Sequence, residues 1–96
     1  MIATEEIISK LKSSKTELEQ KYPIATMALF GSVARGEQLK SSDVDIVVEF
    51  NGHVGSRFIE LADEMERLLG VSVDLVSRKG IKEKYFRIIE KDLIYV

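Results

Sequence analysis

The sequence predicts a small α/β (α+β) domain in which a mixed sheet of about four strands is flanked by helices. Two apolar runs, residues 24–30 and 44–50, have the length and composition of buried strands. Segments with apolar residues at helical spacing alternate with such strands along the chain. A length of 96 residues suits one compact unit, so we expect a single domain over residues 1–96.

Three segments have the apolar spacing of helices. Residues 4–22 form the first, with Thr4 as the expected N-cap. Ser56 is expected to cap the second, whose apolar stripe stops before Gly70, a residue suited to the position after a helix. Residues 81–91 form the third. Its predicted inward residues are Ile81, Tyr85, Ile88 and Ile89.

Four strands are predicted, with a helical turn at 32–36 and a polar loop at 37–42 between the first two. The strands are residues 24–30, 44–50, 71–76 and 93–96, the last at a sheet edge. Alternation divides the second strand into a core face and a polar face. The core face carries Val44, Ile46, Val48 and Phe50, and the other face carries Asp43, Asp45, Val47 and Glu49.

The composition excludes several classes of protein. Apolar residues make up 45% of the chain and charged residues 31%, as in ordinary soluble globular proteins. The net charge of −2 argues against a general nucleic-acid binder, so no direct nucleic-acid contact is expected. The absence of cysteine excludes disulfides, thiolate chemistry and zinc-finger ligation. No membrane span or signal-peptide pattern is recognisable, so we expect a cytoplasmic protein.

The residues with the clearest chemistry are Asp43 and Asp45, which project from the same side of a strand. Neighbouring carboxylates repel each other, and a divalent cation removes that conflict. Oxygen ligands suit Mg²⁺, which keeps positions open for water and phosphates. Gly31 and Ser32 form a turn of small residues at a helix start, where backbone N–H groups can meet phosphate oxygens.

Asp74 is the third acidic residue of interest because it interrupts an otherwise apolar strand. If that strand lies beside the one carrying Asp43 and Asp45, three carboxylates converge on one patch. Such a patch suits two-metal nucleotidyl transfer, and a third carboxylate can accept the proton of an attacking hydroxyl.

This arrangement resembles the signature of the minimal nucleotidyltransferases of the DNA polymerase β-like superfamily, Gly-Ser followed by Asp-x-Asp and a later Asp on another strand. The resemblance implies a palm-like nucleotidyltransferase core in which Asp43, Asp45 and Asp74 bind Mg²⁺, expected as two ions. It also implies that Asp74 helps to activate the nucleophile and that Gly31 and Ser32 hold the β- and γ-phosphates of ATP.

Two further residues, Arg35 and Ser42, match the residues that the family usually has around this motif. By resemblance they are expected at the bound nucleotide, with Arg35 either touching phosphate or holding the loop through an ion pair. His53, the only histidine, lies in a glycine-rich loop and is expected to be exposed without a role. The basic segment 78–91 has two interpretations. It is either a solvated face or a patch that binds an acidic partner or the triphosphate.

The resemblance further implies an antitoxin of the HEPN/MNT type that transfers AMP from ATP to a tyrosine hydroxyl of a HEPN ribonuclease toxin. Larger relatives carry additional domains for their acceptors, so here a partner is expected to supply the acceptor surface. One alternative is a module that neutralises its partner by contact alone. Another is a small-molecule nucleotidyltransferase whose acceptor pocket forms by dimerisation or with a separate subunit, and both homo- and hetero-oligomers remain open.

Overall fold

The structure, a computed structural model, describes residues 3–38 and 43–96. The helices are α1 (Thr4–Lys21), α2 (Gly31–Ala34), α3 (Arg57–Leu69) and α4 (Glu83–Ile89). The strands are β1 (Ile24–Phe30), β2 (Val44–Phe50), β3 (Val73–Ser77) and β4 (Ile94–Tyr95), and short 3₁₀ turns span Arg78–Gly80 and Glu90–Asp92.

The four strands form one mixed sheet in the order β3-β2-β1-β4. β1 is antiparallel to both β2 and β4, whereas β2 and β3 run parallel. The predicted mixed sheet of four strands is therefore confirmed. β3 begins two residues later than predicted, and β4 is confined to two residues at the edge.

One face of the sheet and the long helices α1 and α3 enclose the hydrophobic core. β2 contributes the alternate residues predicted for its core face, of which Val44, Ile46 and Val48 are buried. The fully buried residues of α1 and α3 are Ile7, Leu11, Leu18, Leu61, Met65 and Leu69. Within the two described ranges, no helix combines the length and apolar character that crossing a membrane requires.

The opposite face of the sheet is only partly covered. Phe86 of α4 lines a shallow cleft there together with Val47 of β2. The prediction that Tyr85 and Ile88 point inward is wrong, because these side chains are 53% and 66% exposed. In so short a helix only one side can face the sheet, and Phe86 and Ile89, three residues apart, occupy that side and are half-buried.

The helix ends agree only partly with the predicted caps. The N-cap of α1 is Ala3, so the prediction for Thr4 is wrong. Thr4 already lies inside the helix, and its hydroxyl donates to the backbone oxygen of Val33 at 2.7 Å, which ties α1 to α2. Ser56 occupies the N-cap position of α3 without a side-chain cap bond. Gly70 ends α3 with a φ of 71°, as predicted.

Candidate active site

Two adjacent parallel strands bring Asp45 and Asp74 side by side. Asp45 of β2 is the direct register partner of Asp74 of β3. Paired residues on neighbouring strands project from the same face, about 5 Å apart between backbones. Asp43 directly precedes β2 and is exposed. The prediction that the strand of Asp74 neighbours that of Asp43 and Asp45 is thus confirmed, and the acidic patch lies on the sheet face opposite the core.

The acidic patch perturbs the titration of its central member. The pKa of Asp45 is raised to about 6, mainly by burial and then by the negative charges of Asp74 and Asp43. A hydrogen bond in which the protonated Asp45 carboxyl donates to Asp74 acts in the same direction, and the nearby Arg35 cation opposes it. Asp45 therefore carries a negative charge at neutral pH in surroundings that disfavour that charge.

The Gly-Ser motif lies directly against this carboxylate. Gly31 follows β1, opens α2 and has a φ of 75°, a region that favours glycine. A Cβ atom at Gly31 would overlap the carboxylate of Asp45, so the backbone and the acidic side chain are in close contact. Ser32 is the next residue and is half-buried. The antiparallel pairing of Phe30 with Asp45 produces this contact, because it places the end of β1 beside the start of β2.

Arg35 is engaged by two carboxylates. Its Nε donates to Glu37 at 2.7 Å and its Nη1 donates to Asp92 at 3.0 Å. These bonds raise the pKa of the Arg35 guanidinium above its ordinary value. Sequence reasoning missed both partners. Glu37 lies two residues away and could have been considered, but no sequence signal marks Asp92, which is 57 residues distant.

Ser42, predicted at the nucleotide, lies outside the described residues. His53 is exposed, as predicted. It lines a cavity of about 570 Å³ at the carboxyl ends of β2 and β3 together with Ser77 and Lys79. That cavity opens at the end of β2 opposite the aspartates, so it does not belong to the acidic patch. Of the three aspartates, Asp43 and Asp74 are exposed and Asp45 is half-buried.

The carboxylates of the acidic patch can be compared with the ligands that a metal ion requires. Among the residues that the structure describes, no group of three or more His, Cys, Asp or Glu side chains is placed to hold a metal ion by itself. Carboxylate oxygens of Asp45 and Asp74, with the exposed Asp43 beside them, nevertheless suit Mg²⁺, which takes few protein ligands and completes its shell with water and phosphate. The residues present therefore fit Mg²⁺ bound together with a nucleotide.

The sequence is similar to those of a known family of proteins. Residues 11–96 match the family model for the nucleotidyltransferase domain. MJ1379 of Methanocaldococcus jannaschii, whose name provisionally assigns it as a protein adenylyltransferase, is 46% identical over 95 residues and 95% of each chain. The protein adenylyltransferase MntA of Thermococcus cleftensis is 39% identical over 98 residues, covering 100% of this chain and 98% of its own.

Solved structures share the fold. One that is provisionally described as a minimal nucleotidyltransferase has a TM-score of 0.81 and 29% identity, over 97% of this chain and 95% of its own. A complex of a tri-AMPylated HEPN toxin with an MNT antitoxin, from Shewanella oneidensis, gives a TM-score of 0.69 at 20% identity. That match covers 93% of this chain and 70% of the other, and at such identity it shows the fold alone.

A mixed sheet that sets a Gly-Ser turn against an Asp-x-Asp strand defines a nucleotidyltransferase, and the sequence matches lie in the same class. The chain belongs to the minimal nucleotidyltransferases of the DNA polymerase β-like superfamily and is an enzyme of the nucleotidyltransferase class.

Proposed function

We propose that this chain transfers AMP from ATP to a hydroxyl group in a Mg²⁺-dependent reaction, and that the acceptor is a tyrosine of a partner HEPN ribonuclease toxin. The observation that carries the proposal is the contact of Gly31 with Asp45, which in turn pairs with Asp74. The names of the relatives at 46% and 39% identity support adenylyl transfer to protein. The MNT antitoxin bound to an AMPylated HEPN toxin supports the partner class.

The proposed roles follow the layout of the acidic patch. Asp43, Asp45 and Asp74 would hold Mg²⁺, expected as two ions, which when bound offsets the negative charge of the reacting phosphates. Gly31 and Ser32 would contact the β- and γ-phosphates from the start of α2.

Two further residues are proposed at the nucleotide. Arg35 lies close enough to Asp45 to lower its pKa, so we assign it to the nucleotide side of the site. Its bonds to Glu37 and Asp92 occupy two of the five guanidinium N–H donors, so the others can donate to phosphate. Ser42 keeps its expected place at the nucleotide by family resemblance.

The transfer itself requires an in-line displacement at the α-phosphorus of ATP. The oxygen of the acceptor hydroxyl forms a bond to that phosphorus, the α–β phosphoanhydride bond breaks, and pyrophosphate leaves. The hydroxyl proton passes to a carboxylate, which we assign to Asp74 because it is the exposed member of the Asp45–Asp74 pair. Asp45 is half-buried against Gly31. We therefore assign it to hold Mg²⁺ and not to exchange a proton with an incoming acceptor.

The exposure of Asp43 and Asp74 favours a large acceptor. A small substrate is usually enclosed by a concave pocket. The cavity of about 570 Å³ lies at the far end of β2, and the cleft beside Phe86 holds only about 50 Å³. We therefore propose that residues 1–96 act as one domain that provides the nucleotide half of the site, and that the partner provides the acceptor half.

The test is the intact mass of a HEPN-type partner after incubation with this protein, ATP and Mg²⁺, with the Asp43→Asn/Asp45→Asn protein as control. Increments of one adenylyl group that require the native aspartates are expected. A stable complex without any increment would instead favour neutralisation by contact alone. Transfer of AMP only to small hydroxyl compounds would favour a small-molecule enzyme.

A further inference from the structure

The outward side of α4 combines exposed apolar residues with concentrated positive charge. Tyr85 and Ile88 are three residues apart on one side of the helix and are 53% and 66% exposed. Of the 14 basic and 16 acidic residues of the chain, the segment 78–91 holds six basic and two acidic ones. This segment is therefore positive although the whole chain carries a net charge of −2.

Among the residues that the structure describes, only one of these cations forms an ion pair. Arg78 is bonded to Glu83 at 2.6 Å, which accounts for one acidic residue of the segment. Within residues 3–38 and 43–96, no carboxylate forms an ion pair with the other basic residues of α4 and its ends. These are Lys82, Lys84, Arg87 and Lys91, all exposed. Two of these cations have weaker neighbours, since the Lys84 ammonium lies 5.1 Å from the Tyr85 ring centre and the Arg87 charge adds to that of Arg78 in lowering the pKa of Glu83. The side therefore presents two apolar side chains among exposed cations that can meet external anions.

The opposite side of α4 fixes this surface relative to the catalytic aspartates. Phe86 faces the shallow cleft that Val47 also lines, and the Arg78 guanidinium stacks 3.6 Å from the Phe86 ring centre. Val47 lies two residues after Asp45 on the same side of β2, a separation of about 7 Å. A polypeptide docked on α4 therefore lies on the side of the sheet that carries the aspartates.

We propose that the outer side of α4, formed by Tyr85, Ile88 and the flanking Lys84 and Lys91, docks an acidic, partly apolar segment of the acceptor polypeptide. This inference rests on the proposed function and specifies how that site selects its acceptor. Apolar side chains supply the contact area, and the surrounding cations select an acidic partner and speed its association.

The charge distribution favours an acidic polypeptide over two other binding partners, a second copy of this chain and single-stranded RNA. In a two-fold symmetric dimer the same patch appears on both subunits, so two positive α4 surfaces would face and repel each other. A single-stranded RNA would satisfy the cations and could stack one base on Tyr85, but Ile88 adds no second ring, so the apolar area suits an aliphatic side chain better than a run of bases. An acidic polypeptide matches both the positive charge and the aliphatic surface.

The experiment uses the full chain and an array of tyrosine-containing peptides of equal length, whose net charge runs from strongly negative to strongly positive. Binding is measured for the native protein, for Ile88→Ser and for the matched control Ile59→Ser. Ile59 lies on α3 and is 67% exposed, so the control removes an equally exposed isoleucine elsewhere. A charge-reversal variant, Lys84→Glu/Lys91→Glu, completes the set.

The native protein and Ile59→Ser are expected to prefer acidic peptides that contain aliphatic residues. Ile88→Ser and the charge reversal are expected to weaken that binding about tenfold. Absence of any preference for acidic peptides, or equal binding by Ile88→Ser and Ile59→Ser, would overturn the docking surface. Tighter binding of a single-stranded RNA oligonucleotide, lost in the charge reversal, would overturn it in favour of RNA.

Mg²⁺-dependent ATP binding, measured on the same proteins, separates this inference from the proposed function. All three variants are expected to retain it, because none of the substituted residues lies at the aspartates. If the native protein does not bind ATP with Mg²⁺, the proposed function fails, whereas the peptide preferences still decide whether the α4 surface exists.

Discussion

At the scale of single residues, Asp45 joins the separate parts of the site. It contacts the backbone of Gly31, pairs with Asp74 across the strands and is influenced by the charge of Arg35. Each neighbour has a different effect, since Gly31 restricts its space, Asp74 raises its pKa and Arg35 lowers it. The carboxylate is thus held in an unfavourable charged state, which is the condition a cation relieves.

Replacement of Asp45 by asparagine should stabilise the protein at neutral pH. Because the pKa of Asp45 is raised to about 6 on folding, the native state binds its proton more tightly than the unfolded chain does. The native protein should therefore lose stability as the pH rises from about 4 through about 6. For Asp45→Asn we expect a gain of about 1 kcal/mol at pH 7, discounted because the side chain is only half-buried, and no gain at pH 4.

Urea denaturation of both proteins at the two pH values measures this difference. Asp63→Asn on α3 is the control, because it removes an exposed carboxylate away from the patch. A loss of stability in Asp45→Asn at pH 7, or an equal gain in Asp63→Asn, would contradict the assignment of charge repulsion to Asp45.

Substitution of Gly31 should harm both folding and nucleotide binding. Gly31→Ala places a side chain at a φ of 75° and against the Asp45 carboxylate, so we expect a loss of about 2 kcal/mol. Gly36→Ala is the matched control, with a φ of 71° and, in the described part of the chain, no atom within 4 Å of the added Cβ. It should lose about 1 kcal/mol through φ alone and retain Mg²⁺-dependent ATP binding, which Gly31→Ala should lose. Denaturation and titration calorimetry give the two readouts, and similar results for both variants would argue against the close contact.

At the scale of elements, α4 is held to the sheet by few contacts. Its inner side contributes Phe86, over which the Arg78 guanidinium stacks at 3.6 Å. Arg78 also bonds to Glu83 in the first turn of α4, and this cation lowers the pKa of Glu83. Arg78, which precedes the helix, therefore contacts both the first turn of α4 and its half-buried Phe86 ring.

Arg78→Ala should loosen α4 without unfolding the sheet. Loss of the stacking and of the Glu83 bond should raise amide hydrogen exchange in α4 about tenfold, because a short helix depends on its tertiary contacts. Hydrogen exchange measured by mass spectrometry resolves α4 from β1 and β2, which should be unaffected. Lys79→Ala, which alters the neighbouring exposed residue, is the control and should leave α4 protected. Equal exchange in the two variants would show that burial of Phe86 and Ile89 holds the helix without Arg78.

At the scale of the whole molecule, the two sheet faces have different tasks. One face is closed by α1 and α3 and contains nearly all fully buried side chains. The other carries the acidic patch and is covered in part by α4. Stability and chemistry are thus placed on opposite sides of the same strands, and β2 serves both through its alternating side chains.

Two residues of α3 provide a test of this division between the two sheet faces. Leu61 on α3 is fully buried, whereas Ile59 on α3 is 67% exposed. Leu61→Ala should lower the free energy of unfolding by about 3 kcal/mol, because it removes buried methyl groups and leaves a cavity. Ile59→Ala should change it by less than about 0.5 kcal/mol. Thermal unfolding measures both, and a similar cost for the two substitutions would contradict the placement of the core.

Features that depend on local periodicity could be predicted from the sequence. The alternation that puts Asp45 and Val47 on one face of β2 follows from the two-residue repeat of a strand, and the structure confirms it. The Gly-Ser turn and the Asp-x-Asp pattern are equally local, so their joint presence indicated the class of enzyme. The inward side of α4 was predicted wrongly, because a helix of seven residues is too short for its periodicity to select between Phe86 and Ile88.

The sequence by itself determined the strands, the long helices and the types of residue at the site. Only the tertiary structure decided that Asp74 pairs with Asp45, that Arg35 is engaged by Asp92, and that α4 presents Ile88 outward. The physical reason is distance along the chain. Backbone periodicity and turn chemistry act over a few residues, whereas strand order and ion pairs join residues tens of positions apart, and these depend on how the whole core packs.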